Sequence, residues 1–385
     1  MSELLRRAAL PGLIALAALL LILASAAWPL ALVETGAEHP IGQAAAPGMA
    51  LAVRLVLGIA ALAAWAGLVA PARAQAIAQL ILCSASILGA LLLAGLPAAR
   101  GEAAAGAGFW LCAAALALLA ATLVARAAAH PSRAVEGAVA VLFGLWVLYF
   151  WQVLVGALGV PRVLLPSPLL IAAALVADAR VLSSDFVQTV GKAAASGWLL
   201  GSGCGFGVAL ALDRVPFLKR GLLPVAALTS AVPLVGVAPI AVMWFGFDWP
   251  SKAAVVALMT FFPMLAATLA GLEAASHQEL ELMYSYAAGY RRTLWSLRLP
   301  TALPFLFAAL KVNAALALIG AIVAEFFGSP TAGIGFRIST EAAHMNMALV
   351  WAAIVVAAAT GSICYALLSR MERVLAFWHP SQRSP

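Results

Sequence analysis

The run SKAAVVALMTFFPMLAATLAGLEA, residues 251–274, is followed directly by ASHQELELMYSYAAGYRRTLWSLRLP, residues 275–300. The first stretch is close to the ~20 apolar residues that a helix needs to cross a bilayer core. It is unbroken rather than alternating, so it reads as a helix and not as a barrel strand. The second stretch is polar, rich in helix formers, and carries arginines near its end before the apolar pattern resumes. A spanning helix leading into a structured polar loop predicts a membrane protein with something to do outside the lipid.

The rest of the chain repeats the first half of that pattern. Of 385 residues, 65% are hydrophobic and 10% are charged, against roughly 25% charged in a soluble domain. That is too little charge to solvate a water-facing surface. Candidate spans fall near 9–33, 48–70, 76–97, 107–125, 136–157, 187–212, 222–245, 251–274, 304–327 and 346–369. The fourth rests on Leu111, Leu116, Leu118, Leu119 and Leu123, each contributing roughly −0.5 kcal/mol to insertion. The expected fold is all-α, a polytopic transmembrane helical bundle of about ten spans. Arg6 and Arg7 precede the first apolar stretch as in a signal peptide. The stretch outruns a typical signal core, so it reads as a retained span, with cleavage after Ala24–Ala27 left open.

Net charge is +7, and no basic run interleaved with aromatics suggests a nucleic-acid surface. The basic residues instead orient the helices. Arg6, Arg7, Arg73, Arg126, Arg133, Arg214, Lys219, Arg220, Arg291, Arg292, Arg298, Arg370, Arg373 and Arg383 fall on one side. Fewer fall on the other: Arg54, Arg100, Arg162, Arg180, Lys252 and Arg337. By the positive-inside rule both termini and the 273–304 loop are expected in the cytoplasm. One segment, 163–186, is expected to lie on the outer surface as an amphipathic helix, capped by Ser167 with Pro168 in its first turn. Asp178, Arg180 and Asp185 make its second half too polar for hydrocarbon.

Cys83, Cys112, Cys204 and Cys364 stand singly in apolar runs, and the five histidines are dispersed, so no metal or redox spacing is present. No cofactor is expected. Nearly all local motifs lie beyond residue 140, while residues 1–130 are Ala/Leu-rich. That contrast predicts an N-terminal extension of about four transmembrane helices over 1–133 and a transport domain over 134–385.

The 273–304 loop reads as two short helices, 277–287 and 291–298, hinged at Ala288-Gly289. Such an insertion suits helix-in-groove docking to a soluble partner; the alternative is an interfacial loop with snorkelling arginines. The loop resembles the coupling loop of ABC importer permeases, which runs Glu-Ala-Ala, Gly, Leu-Pro. Anchored on Leu299-Pro300, the glutamate falls on Glu281, the alanines on Leu282 and Met283, and the glycine on Ala287, with Gly289 two residues later. Leu165-Pro166-Ser167-Pro168, Pro233 through Pro239, Met243-Trp244-Phe245-Gly246, Ser251-Lys252, Phe261-Phe262-Pro263, Leu299 through Pro304, Ala324-Glu325 and Gly333-Ile334-Gly335 are similar to the branch handling nitrate, sulfonates, taurine and pyrimidine precursors. These cover roughly 140–370 in order.

The resemblance implies a type I importer permease with a six-helix core in the cell inner membrane, paired with a second copy of itself. It further implies two cytoplasmic ATP-binding subunits and an external substrate-binding protein. It places the ATPase contact at Glu281, Ala287, Ala288, Gly289, Tyr290, Arg291, Leu299 and Pro300. The chain has no Gly-x-x-x-x-Gly-Lys-Ser/Thr loop, so ATP hydrolysis is expected in the partner and this subunit is not an enzyme. Gly201 through Gly207 resembles a nucleotide loop but sits inside an apolar run. Gly197, Gly201 and Gly205, four apart, read as a close helix-packing face. Glu325 is a functional candidate as an acid near a span end. Met243, Trp244, Phe261 and Asn313 are the candidate lining of a path for a flat, weakly polar solute. Pro233, Pro239 and Pro263 are expected to kink their helices. A gradient-driven secondary transporter is the rival reading. It would need two related halves and mid-membrane ionisable groups, which the sequence does not display clearly.

Overall fold

The computed structural model describes residues 2–32, 47–69, 71–128, 133–215, 217, 220–221, 233–328 and 331–378. The first part of the predicted span 222–245, together with Lys219, His130, His379 and Arg383, lies outside the described residues. The chain divides into two compact units, residues 1–170 and 171–385.

The first unit contains α1 (Ser2–Ser25), α2 (Pro47–Val69), α3 (Ala72–Ala94), the single turn α4 (Pro97–Arg100), α5 (Ala107–Ala128) and α6 (Arg133–Ala157). Two-residue strands, Ala31–Leu32 and Ala104–Ala105, pair antiparallel between them. Its core is made by Leu57, Leu82, Leu93, Leu96, Phe109, Leu116 and Leu119, all fully buried. Polar side chains reach backbone carbonyls near helix ends. Arg54 donates to Ala26 O and Trp28 O beyond α1, at 3.2 and 2.9 Å, and the Tyr149 hydroxyl donates to Ala90 O at 2.9 Å. Satisfying backbone groups internally is obligatory where no water is available to do it.

The second unit takes in most of α7 (Pro168–Ala177). It continues with α8 (Ala179–Arg214), α9 (Leu234–Phe245), α10 (Trp249–Glu273), α11 (His277–Ser285), α12 (Tyr290–Glu325), α13 (Ile334–Ala343) and α14 (Met347–Leu375). α10 lies between α8 and α12. Gly197, Gly201 and Gly205 form the face of α8 that touches it: a Cβ at Gly197 would stand 2.5 Å from Val256 Cβ and 2.6 Å from Ala253 O. At Gly201 it would overlap Thr260 Oγ1 and Ala257 O, and at Gly205 the carbonyl of Phe261.

Among the described residues eight helices are long and apolar enough to cross a membrane, while the apolar parts Ile14–Ser25 and Gly236–Phe245 are shorter. Large apolar side chains such as Leu80, Val141, Leu199 and Ile363 face outward on these helices. An apolar exterior of this extent requires lipid rather than water around it.

Three expectations need correction. Residues 163–186 do not form a helix separate from the next span. The helix breaks at Asp178, and Ala179–Arg214 then runs unbroken, including a π-helical stretch at Val187–Ala194. Its polar first turns are accommodated because Asp185 is fully buried against Arg337 Nε at 2.8 Å. The predicted helix 291–298 is the beginning of α12, through a π-helical stretch at Leu294–Arg298. Pro233 precedes the first turn of α9 rather than lying inside it, whereas Pro239 and Pro263 do lie inside helices.

Candidate functional site

The loop between α10 and α12 is built from a capped helix and a left-handed turn. Ser276 caps α11: its hydroxyl accepts from Glu279 N–H at 3.3 Å, and the Glu279 carboxylate accepts from Ser276 N–H at 2.9 Å. These reciprocal bonds satisfy two orphan donors at once. They also hold the Glu279 carboxyl below its usual range. No residue of α11 is buried. Tyr284 and Tyr286 are 86% and 76% exposed, and Leu282 is also exposed. Glu281 stands on the same helix, exposed and 3.2 Å from His277 Nδ1.

The turn after α11 is made by Ala287, at φ 50°, while Gly289 sits at φ −70° with open space around it. The expected hinge at Ala288-Gly289 is therefore one residue late and assigned to the wrong side chain. The left-handed residue is the one onto which the coupling pattern's glycine falls. Alanine holds it at a cost of about 1–2 kcal/mol. The turn carbonyls are taken by helix-type bonds, Ala287 N–H to Tyr284 O and Ala288 N–H to Met283 O. Tyr290 and Arg291 then open α12, and Leu299 and Pro300 lie nine and ten residues inside it.

Beneath the loop a polar network ties its two feet together. Asp213, one residue before the end of α8, receives a two-pronged bond from Arg298: Nη1 to Oδ2 at 2.8 Å and Nη2 to Oδ1 at 2.7 Å. Arg298 Nε donates to Leu272 O at 3.0 Å, at the end of α10, and the Tyr290 hydroxyl donates to Asp213 Oδ2 at 2.8 Å. The Arg214 guanidinium lies 5.2 Å from the Tyr290 ring centre. A cleft of about 460 Å³ opens over this network, lined by Leu280, Tyr284, Ala288, Thr293 and network residues. The sequence reading used Arg298 only as a marker of sidedness and passed over Asp213. The available signal was a pair of opposite charges at the ends of two different spans.

A second polar cluster occupies the other end of α12. Glu325 is buried, accepts from the Thr189 hydroxyl at 2.7 and 3.0 Å, and accepts from Gly335 N–H at 2.7 Å. Thr189 in turn accepts from Ile334 N–H, and Asp185 accepts from Gly333 N–H at 2.8 Å. Gly333 adopts φ 141°, and a Cβ there would stand 2.6 Å from the Glu325 carboxylate. Lys252 is buried beside this cluster, donating to Phe247 O, Gly328 O and Asp248 O. The N–H of Trp249 and the amide of Gln188 hold the Asp248 carboxyl below its usual range.

The proposed path residues do not converge. Met243 and Trp244 are 84% and 76% exposed on α9. Phe261 packs against the cluster of Ala209, Leu212, Leu265 and Leu269. Asn313 is fully buried, its amide donating to Ser202 Oγ at 3.0 Å and Thr260 O at 2.8 Å, while its own oxygen has no partner. Glu325 lies at the far end of the same helix.

Comparison with known proteins adds what geometry alone does not. Residues 203–376 match the family described as the binding-protein-dependent transport system inner membrane component. The chain is 32% identical over 236 residues to the riboflavin transport system permease protein of Chloroflexus aurantiacus, covering 61% of this chain and 87% of that one. It is 29% identical over 241 residues to the formylaminopyrimidine transport permease protein of Halalkalibacterium halodurans, covering 63% and 96%. It is 27% identical over 175 residues to the taurine transport system permease protein of Escherichia coli, covering 46% and 63%. Match and architecture agree, and the chain belongs to the binding-protein-dependent transport family of inner-membrane components, as a transmembrane permease subunit of an ABC-type importer.

Proposed function

We propose that this permease imports a small heterocyclic solute of the vitamin or vitamin-precursor type, driven by a separate ATPase that grips α11. Similarity to the riboflavin and formylaminopyrimidine permeases supports the heterocycle, with the aliphatic sulfonate permease of Bacillus subtilis 28% identical over a comparable length. The observation that carries the coupling reading is the loop itself: a helix with no buried residue, presenting Leu282 and Tyr284 with Tyr286 just beyond, on feet fixed by a largely buried ion pair. Exposed aromatics on a pre-formed helix are what a groove on a soluble partner can bury at low entropic cost. Glu281, Ala287, Ala288, Gly289, Tyr290 and Arg291 form the rim and turn of that contact, with Leu299-Pro300 at its base.

The assembly in this reading is a homodimer of permeases with two ATPase copies and an external binding protein, both permease termini lying in the cytoplasm. Residues 134–385 carry transport, and residues 1–133 are an accessory extension. ATP binding closes the ATPases, α11 moves with them, and the spans rock between inward and outward openings.

Affinity purification of the tagged permease tests this directly, and the expected result is co-purification of an ATP-binding subunit that Tyr284→Asp releases. Modification of a Tyr290→Cys variant by a membrane-impermeant maleimide added outside intact cells would put the loop on the wrong side and end the proposal.

A further inference from the structure

The two long helices α8 and α12 run antiparallel and are cross-linked by polar contacts at three levels. At the loop end Asp213 meets Arg298. Midway the Asn313 amide reaches Ser202 Oγ, and Trp198 Nε1 donates to Leu310 O at 3.3 Å. At the far end Thr189 meets Glu325. The outer contacts are separated along α8 by about 36 Å at the helical rise of 1.5 Å per residue, somewhat more than the ~30 Å hydrocarbon core. Each end contact lies in a π-helical stretch, Thr189 in Val187–Ala194 and Arg298 at the end of Leu294–Arg298. An extra residue in a turn rotates the remainder of the helix, and such insertions recur at functional sites.

These contacts have unequal consequences. The middle contact also reaches α10, where the Asn313 amide donates to Thr260 O at 2.8 Å, and the far-end contact reaches the start of α13. The loop-end contact is the one that lies at the feet of α11: Arg298 also binds the last turn of α10 through Leu272 O, and Asp213 also binds Tyr290, the first residue of α12. α11 joins α10 and α12 through the short connections 274–276 and 286–289, so a push on it arrives at the ends of those two helices. There the Asp213–Arg298 pair binds both feet of the loop to the end of α8 through a two-pronged charged bond, with side chains only 9% and 17% exposed. Bidentate Arg–carboxylate pairs fix orientation as well as distance.

We infer that Asp213 and Arg298 are the positioning residues through which displacement of the coupling helix α11 enters the transmembrane helices α8, α10 and α12. The inference rests on the proposed ATPase contact and adds the route from that contact inward. α13 is the far-end reporter, since Gly333, Ile334 and Gly335 at its start are bound by Asp185, Thr189 and Glu325 on the same two helices.

The test uses the full permease–ATPase complex in lipid nanodiscs, with the four native cysteines replaced by alanine and Ser339→Cys placed on the exposed face of α13. Maleimide reaction rates are compared between the ADP-bound complex and the ADP·vanadate complex trapped during ATP turnover. A coupling of ordinary size predicts a rate ratio of about 5-fold or more in the parent complex. Asp213→Asn and Arg298→Lys are expected to bring the ratio within about 2-fold of unity while the ATPase still co-purifies and hydrolyses ATP. The charge-swapped pair Asp213→Arg with Arg298→Asp restores part of the ratio. A parent-sized ratio in Asp213→Asn would overturn the inference, as would loss of the attached ATPase from that variant without recovery in the swap. If no ATPase co-purifies with the parent, the failure belongs instead to the proposed docking.

Discussion

Replacing Gly333 by alanine should be a strongly damaging single-methyl change, because strain and a clash fall on the same residue. Two costs combine. The backbone at φ 141°, ψ 148° belongs to a region that essentially only glycine occupies, costing about 1–3 kcal/mol for another residue. The new Cβ would stand 2.6 Å from the carboxylate of Glu325, well inside contact distance. That carboxylate cannot move freely, because Thr189 Oγ1 and Gly335 N–H both bond it at 2.7 Å. Displacing it leaves at least one buried hydrogen-bonding group without its partner, which costs about 1–3 kcal/mol. Together these give about 2–6 kcal/mol, a substantial part of the whole stability of a typical domain.

Reversible unfolding in mixed micelles by SDS titration, monitored by tryptophan fluorescence, would measure the loss. Thr189→Val in the same background completes a double-mutant cycle. Because both changes act on one carboxylate, their costs should fall short of additive by more than about 0.5 kcal/mol. A Gly333→Ala protein within about 1 kcal/mol of the parent, or strictly additive costs, would refute the claim that Gly333 is glycine in order to wrap Glu325.

The loop turn gives a contrasting pair. Ala287→Gly should stabilise the loop by about 1 kcal/mol, because it relieves a left-handed alanine, whereas Gly289→Ala, with open space at φ −70°, should leave the loop's stability unchanged; hydrogen-exchange protection across His277–Ser285 in the two variants checks both. Gly201→Val should separate α8 from α10 at a cost of about 1–3 kcal/mol, visible in the same SDS unfolding, since even a Cβ there overlaps Thr260 and Ala257. The Glu279 cap should also respond to pH. Its carboxyl is depressed in the folded loop by the Ser276 bonds, so its contribution is complete above the unfolded carboxyl's pKa and is lost as pH falls through the depressed value. Hydrogen-exchange protection across His277–Ser285, taken relative to the intrinsic rate at each pH, should accordingly fall in acid, and Glu279→Gln should show that lower protection already at neutral pH.

Much of this protein was legible before any coordinates. Apolar runs near bilayer length must be satisfied as helices, so the positions of most spans came from composition and spacing alone, as did a polar loop following residue 273. The part of the expected 273–304 loop from Tyr290 onward is instead the start of α12. The spaced glycines of α8 could be recognised because a small-residue face has a local period. The hinge was misplaced for a local reason too. Glycine is the expected residue wherever a turn needs positive φ, and here an alanine two positions earlier carries it.

What the chain alone could not disclose is which charges meet. Asp213 and Arg298 are 85 residues apart, Thr189 and Glu325 are 136 apart, and Asp185 and Arg337 are 152 apart. Read one helix at a time, each is a polar residue near a span end, where sidedness or interfacial solvation explains it equally well. Their pairing depends on how α8, α12 and α13 register against one another, and on the rotation that each π-helical stretch adds. Both are settled by how whole helices pack, and neither leaves a local trace. The sequence determined that this chain lives in a membrane and presents a helix beyond it; tertiary packing decided that the helix is bolted to the spans beneath it.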